Sequence, residues 1–352
     1  MELATLMALR PIAAAGLLVT LTRRCPLSCA HCSTASTMDA EQVDAGRLRR
    51  FVASITPGTA PQVVLYTGGE PLLRPELLAE LARAAPAAGS APAVLTGGFF
   101  VRDGRVPARI WQALLACDHV SFSLDAYHER EVPRAGVFDC LQALLDAGRQ
   151  VSLHIVGQGP EDGYLHDLTS AVLARFGTRV AMLVSELRPV GRAAAWLNSQ
   201  QAAVLDTRPR PCSLAAWPVI SFDGTVLACC NQRVVDTRPV PEHLRLGHLD
   251  TDDWPAIRHR LTRSPVLRML RTSGPLNLQA RFGSGAGCAG YCQSCRRLSE
   301  DPAVLAGAAL VAAGPVGELL DREVGLLQQR AGAASLVRRY GSSRYADLVM
   351  PG

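Results

Sequence analysis

The sequence predicts an α/β fold in which a partial (β/α)6 barrel precedes a small α+β domain. Strand-like and helix-like segments alternate from residue 16 to about residue 190, a pattern that gives parallel strands with right-handed crossovers. After Pro189 the pattern changes to short strands and cysteine-rich segments. A chain of 352 residues, 48% of them hydrophobic, is long enough for about two domains and too apolar to be disordered. We therefore expect domains at residues 1–195 and 196–300, followed by a C-terminal helical extension at residues 301–352.

Six apolar runs in the first part have the length and the flanking turn residues of buried strands. They are Gly16–Thr22, Gln62–Thr67, Ala93–Thr96, His119–Leu124, Val151–Val156 and Val180–Leu187. Between them, apolar residues recur at helical spacing, as at Leu48, Phe51, Val52 and Ile55. Because parallel strands place their carboxyl ends at one edge of the sheet, we expect the functional residues of this part at that edge.

The later part begins with a predicted hairpin. Trp217–Phe222 and Thr225–Cys230 are short strand candidates joined by Asp223-Gly224, a dipeptide typical of tight turns. Beyond it, the pattern predicts a helix over residues 252–272, a glycine- and cysteine-rich loop over residues 283–296, and a C-terminal helix over residues 316–338.

Composition excludes several classes of function. All 36 basic residues are arginine, so no lysine is present to form a pyridoxal Schiff base or to serve a P-loop. The net charge of +5 is too small and too dispersed to indicate a nucleic acid partner.

Two apolar segments could be mistaken for targeting or membrane segments. Pro11–Leu21 lacks a signal-peptide cleavage site, and Ala303–Gly317 is shorter than the roughly 20 residues that span a membrane. We therefore expect a cytoplasmic protein with no membrane partner, in which the 11 cysteines stay reduced.

Three cysteines, Cys25, Cys29 and Cys32, follow the first predicted strand with C-x3-C-x2-C spacing. Thiolates at this spacing can each bind a different iron of one iron–sulfur cube and leave the fourth iron open. A zinc site would need a fourth ligand. His31 is the candidate, in a cramped position between two of the cysteines.

This cysteine motif resembles the signature of the radical S-adenosylmethionine (radical SAM) enzymes. Thr67-Gly68-Gly69-Glu70-Pro71, at the end of the second strand, resembles the family's GGE motif, which binds the amino group of SAM. Glycines permit close approach of the backbone, and a carboxylate can pair with an ammonium group. The resemblance extends over about residues 16–190 and is strongest at the cysteines.

By the same resemblance, further polar residues at the strand ends are expected to contact SAM. Ser123 and Asp125 lie where the family contacts the ribose, although a helix cap would explain them as well. His154 lies on a segment that resembles the adenine-contact strand, but the acid expected downstream is out of register at Glu161.

Two other groups of residues lie at the expected rim. Glu186 and Arg188 end the sixth strand, where they would hold SAM or substrate or form a plain salt bridge. Tyr127-His128-Glu129 follows the fourth strand and would contact substrate or belong to a solvated loop.

The resemblance implies two cofactors and an electron donor. The open iron of a [4Fe–4S] cluster would bind SAM, and a flavodoxin-type reductase would supply the electron. That electron would cleave SAM to methionine and a 5′-deoxyadenosyl radical, which would abstract a hydrogen atom from an unactivated C–H bond.

A second group of cysteines lies in the later part, at positions 212, 229, 230, 288, 292 and 295. Cys212-x11-Gly224-x4-Cys229 resembles the entry motif of the SPASM and twitch domains, which hold auxiliary iron–sulfur clusters. Two clusters would need about eight ligands, so one auxiliary [4Fe–4S] cluster fits the count. Its expected ligands are Cys212, Cys229, Cys292 and Cys295. Cys288 and Cys230 remain alternative ligands, and a structural zinc site with the same four residues remains open.

The resulting prediction is a radical SAM oxidoreductase that modifies a ribosomal peptide in natural-product biosynthesis. Only 15 residues precede the first strand, so a leader-peptide recognition protein would be a separate partner. One alternative is a dehydrogenase or epimerase of an aminocyclitol- or sugar-type small molecule, with Cys230 or Cys288 as the hydrogen donor in epimerisation. Another is a non-enzymatic iron–sulfur or zinc protein, which would not need Glu70. Cys117 and Cys140 fall on helical patterns and are expected to be buried small hydrophobes.

Overall fold

Six parallel strands form the first part of the sheet, in the order in which they follow in the chain. The computed structural model describes residues 1–102, 104–197, 208–284 and 290–350. The strands are β1 (Gly16–Thr22), β2 (Val63–Gly68), β3 (Ala91–Thr96), β4 (His119–Ser123), β5 (Gln150–Gly157) and β6 (Ala181–Glu186). Each pairs in parallel with its sequence neighbours. The predicted α/β class and its six strands are confirmed.

Helices connect these strands and cover the sheet. They are α1 (Leu3–Leu9), α2 (Ala45–Ala53), α3 (Pro75–Ala84), α4 (Ala108–Leu115), α5 (Arg134–Asp146) and α6 (Gly163–Phe176). On α2, Leu48, Phe51 and Val52 form the buried face, and the Asp44 side chain caps the helix by accepting from the Arg47 N–H at 2.8 Å. The apolar residues that recur at helical spacing in the sequence therefore form the buried face of this helix.

The sheet continues beyond the sixth strand through the predicted hairpin. Strands β7 (Val219–Ile220) and β8 (Thr225–Leu227) are antiparallel to each other, and β9 (Arg245–His248) pairs with β8. Because β7 pairs in parallel with β1, the nine strands form one sheet in the order β6-β5-β4-β3-β2-β1-β7-β8-β9. The hydrogen-bonded sheet thus crosses the domain boundary expected at residue 195.

Trp217 packs this junction. A side chain at Gly16 would lie 2.2 Å from the Trp217 ring, so only glycine leaves room for the indole at the start of β1. The indole N–H donates to the Leu9 carbonyl at 3.0 Å, and the ring is completely buried.

The helices after the hairpin differ in places from the prediction. They are α7 (Gln232–Val235), α8 (Trp254–Arg263), α9 (Pro265–Thr272), α10 (Pro275–Phe282), α11 (Tyr291–Arg297), α12 (Pro302–Ala312), α13 (Gly314–Arg330) and α14 (Gly332–Tyr340). The helix expected over residues 252–272 breaks at Ser264, because Pro265 has no N–H and Ser264 caps the next helix through the Leu267 N–H.

The cysteine-rich segment is also more regular than expected. Tyr291–Arg297 is helical, so Cys292 and Cys295 lie one turn apart on α11 instead of in a loop. The predicted C-terminal helix is divided into α13 and α14 at Ala331.

Within the described part of the chain, we find no single helix that is both long enough and apolar enough to cross a membrane. The consecutive helices α12 and α13 reach that length and composition together, but they are bent by 87°.

Candidate active site

A cavity of about 530 Å³ opens at the carboxyl ends of the parallel strands. This volume lies in the range of small-molecule sites. Its wall carries the following predicted residues: Cys25, Cys29, Cys32, Gly68, Gly69, Ser123, Asp125, His154, Glu186, Arg188 and Cys230. The topology therefore brings predicted residues from five of the six parallel strands and from the hairpin to one cavity.

The first cysteine set (Cys25, Cys29 and Cys32) lies on the cysteine loop, residues 23–44, between β1 and α2. Main-chain hydrogen bonds close this loop, from Arg23 to Glu41 at 2.9 Å and from Cys25 to Thr37 at 3.2 Å. Cys29 is buried, whereas Cys25 and Cys32 are partly buried. The loop holds all three thiols on the same wall of the cavity.

The turn after β2 packs directly against this loop. The Gly69 N–H donates to the Thr22 carbonyl at 2.7 Å, and the Glu70 N–H donates to the Arg24 carbonyl at 2.8 Å. A Cβ at Gly68 would lie 2.1 Å from the Thr22 oxygen, and one at Gly69 would lie 2.4 Å from the Arg23 oxygen. The two glycines are thus required for the close approach of the chain segments that follow β1 and β2.

Glu70 lies behind the cavity wall. Its side chain is completely buried and is not on the cavity wall. The carboxylate accepts hydrogen bonds from the Thr96 hydroxyl at 2.8 Å, the Gly97 N–H at 2.8 Å and the Leu72 N–H at 3.0 Å. Burial raises the pKa of Glu70 to about 7. These hydrogen bonds let the Glu70 carboxylate join the ends of β2 and β3. The residues of the motif that line the cavity are Thr67, Gly68 and Gly69.

The three thiols of the first set have different electrostatic environments. Burial raises the pKa of Cys25 to about 12, and the nearby Glu70 adds to this. Burial also acts to raise the pKa of Cys32, but hydrogen bonds from Thr34 and Arg192 outweigh it and lower the pKa to about 7. The Thr34 hydroxyl lies 3.2 Å from the Cys32 sulfur.

Asp125 organises two histidines beside the first set. One carboxylate oxygen accepts the main-chain N–H groups of Tyr127 and His128 at 2.9 and 3.1 Å, as expected of a cap. The other oxygen lies 2.9 Å from His128 Nδ1 and 3.2 Å from His31 Nε2. Burial opposes its charge, but the two histidines hold the pKa of Asp125 well below its usual range.

His128 connects this network to the first cysteine set. Burial acts to lower the pKa of His128, but Asp125 and a hydrogen bond with the Cys29 side chain raise it to about 10. The His31 ring stacks on Tyr127 with centroids 4.6 Å apart. Sequence reasoning treated His128 as a rim residue and His31 as a poor zinc ligand. The available signal was their position in the sequence: His31 lies within the cysteine motif after β1, and His128 closely follows Asp125 at the end of β4.

The remaining predicted SAM contacts occupy different parts of the wall. His154 faces the cavity from β5, and burial lowers its pKa to about 4. Glu186 is exposed at the end of β6. The Arg188 guanidinium donates to the Tyr340 carbonyl at 2.8 Å, so it is tied to α14 and not to Glu186.

Four cysteines of the later part, Cys212, Cys229, Cys292 and Cys295, lie close together and are defined here as the second cysteine set. Burial raises the pKa of Cys212 to about 11 and raises the pKa values of Cys229 and Cys295 well above the usual range. Repulsion from nearby cysteines contributes to each shift: from Cys292 and Cys230 on Cys212, from Cys230 and Cys212 on Cys229, and from Cys212 and Cys292 on Cys295. Cys230 therefore lies close to the set as well. Cys212 and Cys229 are buried, Cys295 is partly buried and Cys292 is exposed. Thiols placed this close together form a donor set suited to a thiophilic metal group.

Cys230 differs from its neighbour Cys229, because it lines the main cavity. The Arg10 guanidinium donates to its sulfur at 3.2 Å and lies over the Trp217 ring at 4.5 Å. Cys288 falls outside the described residues. Cys117 and Cys140 are buried in the hydrophobic core, as predicted, and none of the ten described cysteines is in a disulfide.

Residues 19–170 match the family model of the radical SAM superfamily. Among solved structures, Streptococcus suis SuiB bound to S-adenosylmethionine is similar at 13% identity and a TM-score of 0.52, over 77% of this chain and 75% of that chain. SuiB bound to the precursor peptide SuiA has 11% identity and a TM-score of 0.50, over 70% of this chain and 65% of that chain, slightly under two thirds. Native anSMEcpe with bound AdoMet and Kp18Cys peptide has 12% identity and a TM-score of 0.49, over 84% of this chain and 96% of that chain. A sequence search of curated proteins finds no match. At these identities the similarity to the two SuiB structures establishes the fold alone.

Proposed function

We propose that this protein is a radical SAM enzyme that abstracts a hydrogen atom from a C–H bond of a peptide substrate. The match of residues 19–170 to the radical SAM superfamily model supports this proposal. Cys25, Cys29 and Cys32 would hold a [4Fe–4S] cluster, and SAM would bind beside it in the cavity. The observation that carries the proposal is the presence of these three cysteines and Gly68-Gly69 on one cavity wall at the carboxyl ends of the strands.

The residues around the first cysteine set fit such a cluster. Three thiols from one loop cap one side of a cube and leave a fourth iron without a cysteine. Arg192 and His128 lie beside the thiols and compensate negative charge, and the Nε of Arg192 is buried without a hydrogen-bond partner. An orphaned buried N–H beside a thiol is costly unless an acceptor is present, and a cluster would provide one.

A [4Fe–4S] cluster held by Cys25, Cys29 and Cys32 would supply the single electron that reductive cleavage of SAM requires, and this cleavage would provide the radical chemistry that removes the substrate hydrogen. The protein's own residues would bind and orient the reactants. The Gly68-Gly69 backbone would approach the methionine end of SAM, and Ser123, Asp125 and His154 would face its ribose and adenine. The apolar walls formed by Leu18, Leu95 and Val219 would exclude water.

Glu186 and Arg188 would bind substrate or SAM at the open side of the cavity. Both side chains are exposed at the rim. The hydrogen bond from Arg188 to Tyr340 fixes the guanidinium at this rim.

We further propose that Cys212, Cys229, Cys292 and Cys295 hold one auxiliary [4Fe–4S] cluster, in a twitch-like arrangement. Support comes from their mutual proximity and from two donors to their sulfurs, the Asn231 N–H to Cys229 at 3.4 Å and the Asn231 amide to Cys292 at 3.6 Å. Such a cluster would accept the electron left on the substrate radical and make the reaction a net oxidation. A structural zinc ion would use the same four thiolates.

A ribosomal peptide in natural-product biosynthesis is the proposed substrate class. The fold is shared with SuiB, a protein solved with a precursor peptide, and this supports the class without establishing it. A flavodoxin-type reductase would donate electrons, a separate protein would recognise the leader peptide, and the enzyme would act in the cytoplasm.

One observation favours a second candidate, an epimerase of a small molecule or a peptide. The Cys230 thiol lines the same cavity as the first cysteine set and is held there by Arg10. A thiol on the far side of the substrate could return a hydrogen atom to the opposite face of the carbon.

The experiment uses anaerobically reconstituted protein, SAM and dithionite, with release of 5′-deoxyadenosine as the readout. We expect release by the wild type and none by Cys29→Ala, which should also lose about four irons per chain. Cys140→Ala is the control, because Cys140 is buried in the core away from the cavity. Undiminished 5′-deoxyadenosine from Cys29→Ala would refute the assignment.

The auxiliary cluster is tested with Cys212→Ala/Cys292→Ala. This variant should lose about half of the iron and still cleave SAM, but it should not turn over the true substrate. One zinc per wild-type chain, or normal turnover by the double variant, would contradict an electron-accepting cluster.

A further inference from the structure

We infer that His31, Asp125 and His128 form a binding site for one divalent first-row transition-metal ion, separate from both cysteine sets. Two imidazoles and one carboxylate are the donors of the facial sites that hold such ions and leave other coordination positions open. The site goes beyond the proposed function, because neither the SAM-binding cluster nor the auxiliary cluster requires it.

The three donors converge on a small volume. One ligand atom from each residue lies within 4.8 Å of the ligand atoms of the other two. Asp125 Oδ2 lies 2.9 Å from His128 Nδ1 and 3.2 Å from His31 Nε2. Donor atoms that bind one ion at about 2.0–2.2 Å lie about 3–4 Å from one another. The spacing of the three side chains therefore fits a single ion.

Hydrogen bonds do not account for this arrangement. Although Asp125 Oδ2 and His128 Nδ1 are close, they are not aligned for a hydrogen bond, and among the described residues neither of these buried atoms has another partner. The Asp125 side chain is completely buried. A buried polar atom without a partner is costly. An ion held between the carboxylate and the imidazoles would satisfy both atoms.

The surrounding chain holds the donors in place. The other oxygen of Asp125 accepts the main-chain N–H groups of Tyr127 and His128, which leaves Oδ2 for the ion. The His31 ring stacks on Tyr127 with centroids 4.6 Å apart and meets the His128 ring edge-on at 5.0 Å. Contacts behind metal ligands fix their orientation and strengthen metal binding. The three side chains are therefore arranged before any ion binds.

The ion would be reached from the main cavity, because all three residues line it. Its remaining coordination positions would face water or an oxygen or nitrogen atom of a molecule bound there. The sequence made His31 a candidate fourth zinc ligand beside three cysteines, whereas the structure places its Nε2 beside Asp125. Because neutral imidazole is the metal ligand, the ion would replace a proton on this network.

The test is a titration of the reconstituted full-length protein with Mn²⁺, in which the EPR signal of free Mn²⁺ measures the unbound fraction. Mn²⁺ is the probe because it suits oxygen and nitrogen ligands, whereas thiolates select softer metals. We expect the wild type to bind a single Mn²⁺ ion per chain. Co²⁺ should displace it, because Co²⁺ lies later in the order of increasing affinity of the divalent metals.

Three variants each remove one ligand. Asp125→Asn should weaken Mn²⁺ binding at least about tenfold, since loss of even a contact behind a metal ligand costs about 10- to 100-fold. Its amide oxygen can still accept the two main-chain N–H groups, so the turn after β4 should stay folded. His31→Gln and His128→Gln should weaken binding in the same way. They keep the test decisive if Asp125→Asn prevents cluster assembly.

Glu129→Gln is the matched control. It removes the same charge from the same turn, but the Glu129 carboxylate is bonded to Arg134 at 2.9 Å and to the Tyr164 hydroxyl. The affinity for Mn²⁺ should therefore be unchanged. A loss equal to that of Asp125→Asn would overturn the inference, by showing an effect of net charge and not of coordination.

The inference and the proposed function fail separately. A wild-type protein that cleaves SAM but binds no Mn²⁺ at millimolar concentration would overturn the inference alone. Undiminished Mn²⁺ binding by all three ligand variants would do the same. A wild-type protein that binds Mn²⁺ but assembles no cluster and cleaves no SAM would instead overturn the proposed function.

Discussion

The carboxylate of Glu70 has no access to solvent and is surrounded by hydrogen-bond donors of its own chain. Glu70→Gln keeps the size of the side chain but places an amide N–H2 against those donors. An unsatisfied buried donor costs about 1–3 kcal/mol, so the free energy of unfolding should fall by about that amount. Urea denaturation of the metal-free protein measures it. If the Glu70→Gln protein kept its stability but lost affinity for SAM, the result would instead support Glu70 as a ligand of the SAM amino group.

His119 provides a prediction of pH dependence. It is 1% exposed and hydrogen-bonds the Met1 carbonyl at 2.9 Å and the Ser152 hydroxyl at 2.8 Å. Burial lowers its pKa to about 4, below the ordinary value of 6.5. Between these values the unfolded chain binds more protons, so stability should fall as pH decreases from 6.5 to 4, by up to about 1.4 kcal/mol per pH unit.

The measurement for His119 compares unfolding free energies of wild type and His119→Gln at several pH values. His154 and His243 have lowered pKa values too, so the wild type carries a combined slope. The difference between the two proteins isolates His119. A variant with the full wild-type slope would show that His119 does not contribute.

At the scale of elements, the segment after β6 is the support of the cysteine loop. Gly191 has a φ of +55°, and a Cβ there would lie 2.2 Å from the Cys32 carbonyl oxygen. Gly191→Ala should therefore push this segment away from the first cysteine set and speed the loss of iron to a chelator. The control is Gly148→Ala, which has a similar φ of +74° but no atom within 4 Å of its Cβ.

Equal iron loss from the Gly191→Ala and Gly148→Ala proteins would contradict this view. It would mean that backbone strain alone matters and that contact with the cysteine loop does not.

Sequence reasoning located the strands well because each is a short apolar run between turn residues. β1 was predicted with the bounds Gly16–Thr22 that the structure shows. The first cysteine set and Gly68-Gly69 were found because their spacing is local in the sequence. The main-chain contact of Arg192 with Cys32 could not be found in this way, since Arg192 is far along the chain from Cys32 and β6 lies five strands from β1 in the sheet. Only the three-dimensional fold brings the two segments together.

Other differences arise from capping and burial. Residues 252–272 could form one long helix or two capped helices, and tertiary packing decides between them. The break at Pro265 could therefore not be predicted from the local sequence pattern. The local motif also does not reveal that Thr96 and Gly97, at the end of the next strand, surround the Glu70 carboxylate.

At the scale of the molecule, the C-terminal helices are tied to the rest by a buried ion pair. Arg271 on α9 and Asp321 on α13 are 2% and 9% exposed, with atoms 2.6 Å apart, and Arg271 also donates to the Ala215 carbonyl at 3.1 Å. Removing one partner of a buried pair costs about 3–5 kcal/mol, so Arg271→Met should destabilise the protein by about that amount.

The double variant Arg271→Met/Asp321→Leu should recover much of that loss, because it leaves no buried charge unpaired. Urea unfolding of the single and double variants measures both values. Single variants with wild-type stability would mean that α13 is not energetically coupled to the remainder of the fold.

β1 has hydrogen-bonded neighbours on both sides, β2 on one and β7 on the other. The first cysteine set leaves from its carboxyl end, and the hairpin that presents Cys229 is anchored along its edge. Any metal groups held by the two sets would therefore be connected through the same β-strand, β1. The main-chain hydrogen bonds of the sheet therefore help to fix the distance over which an electron would pass between them.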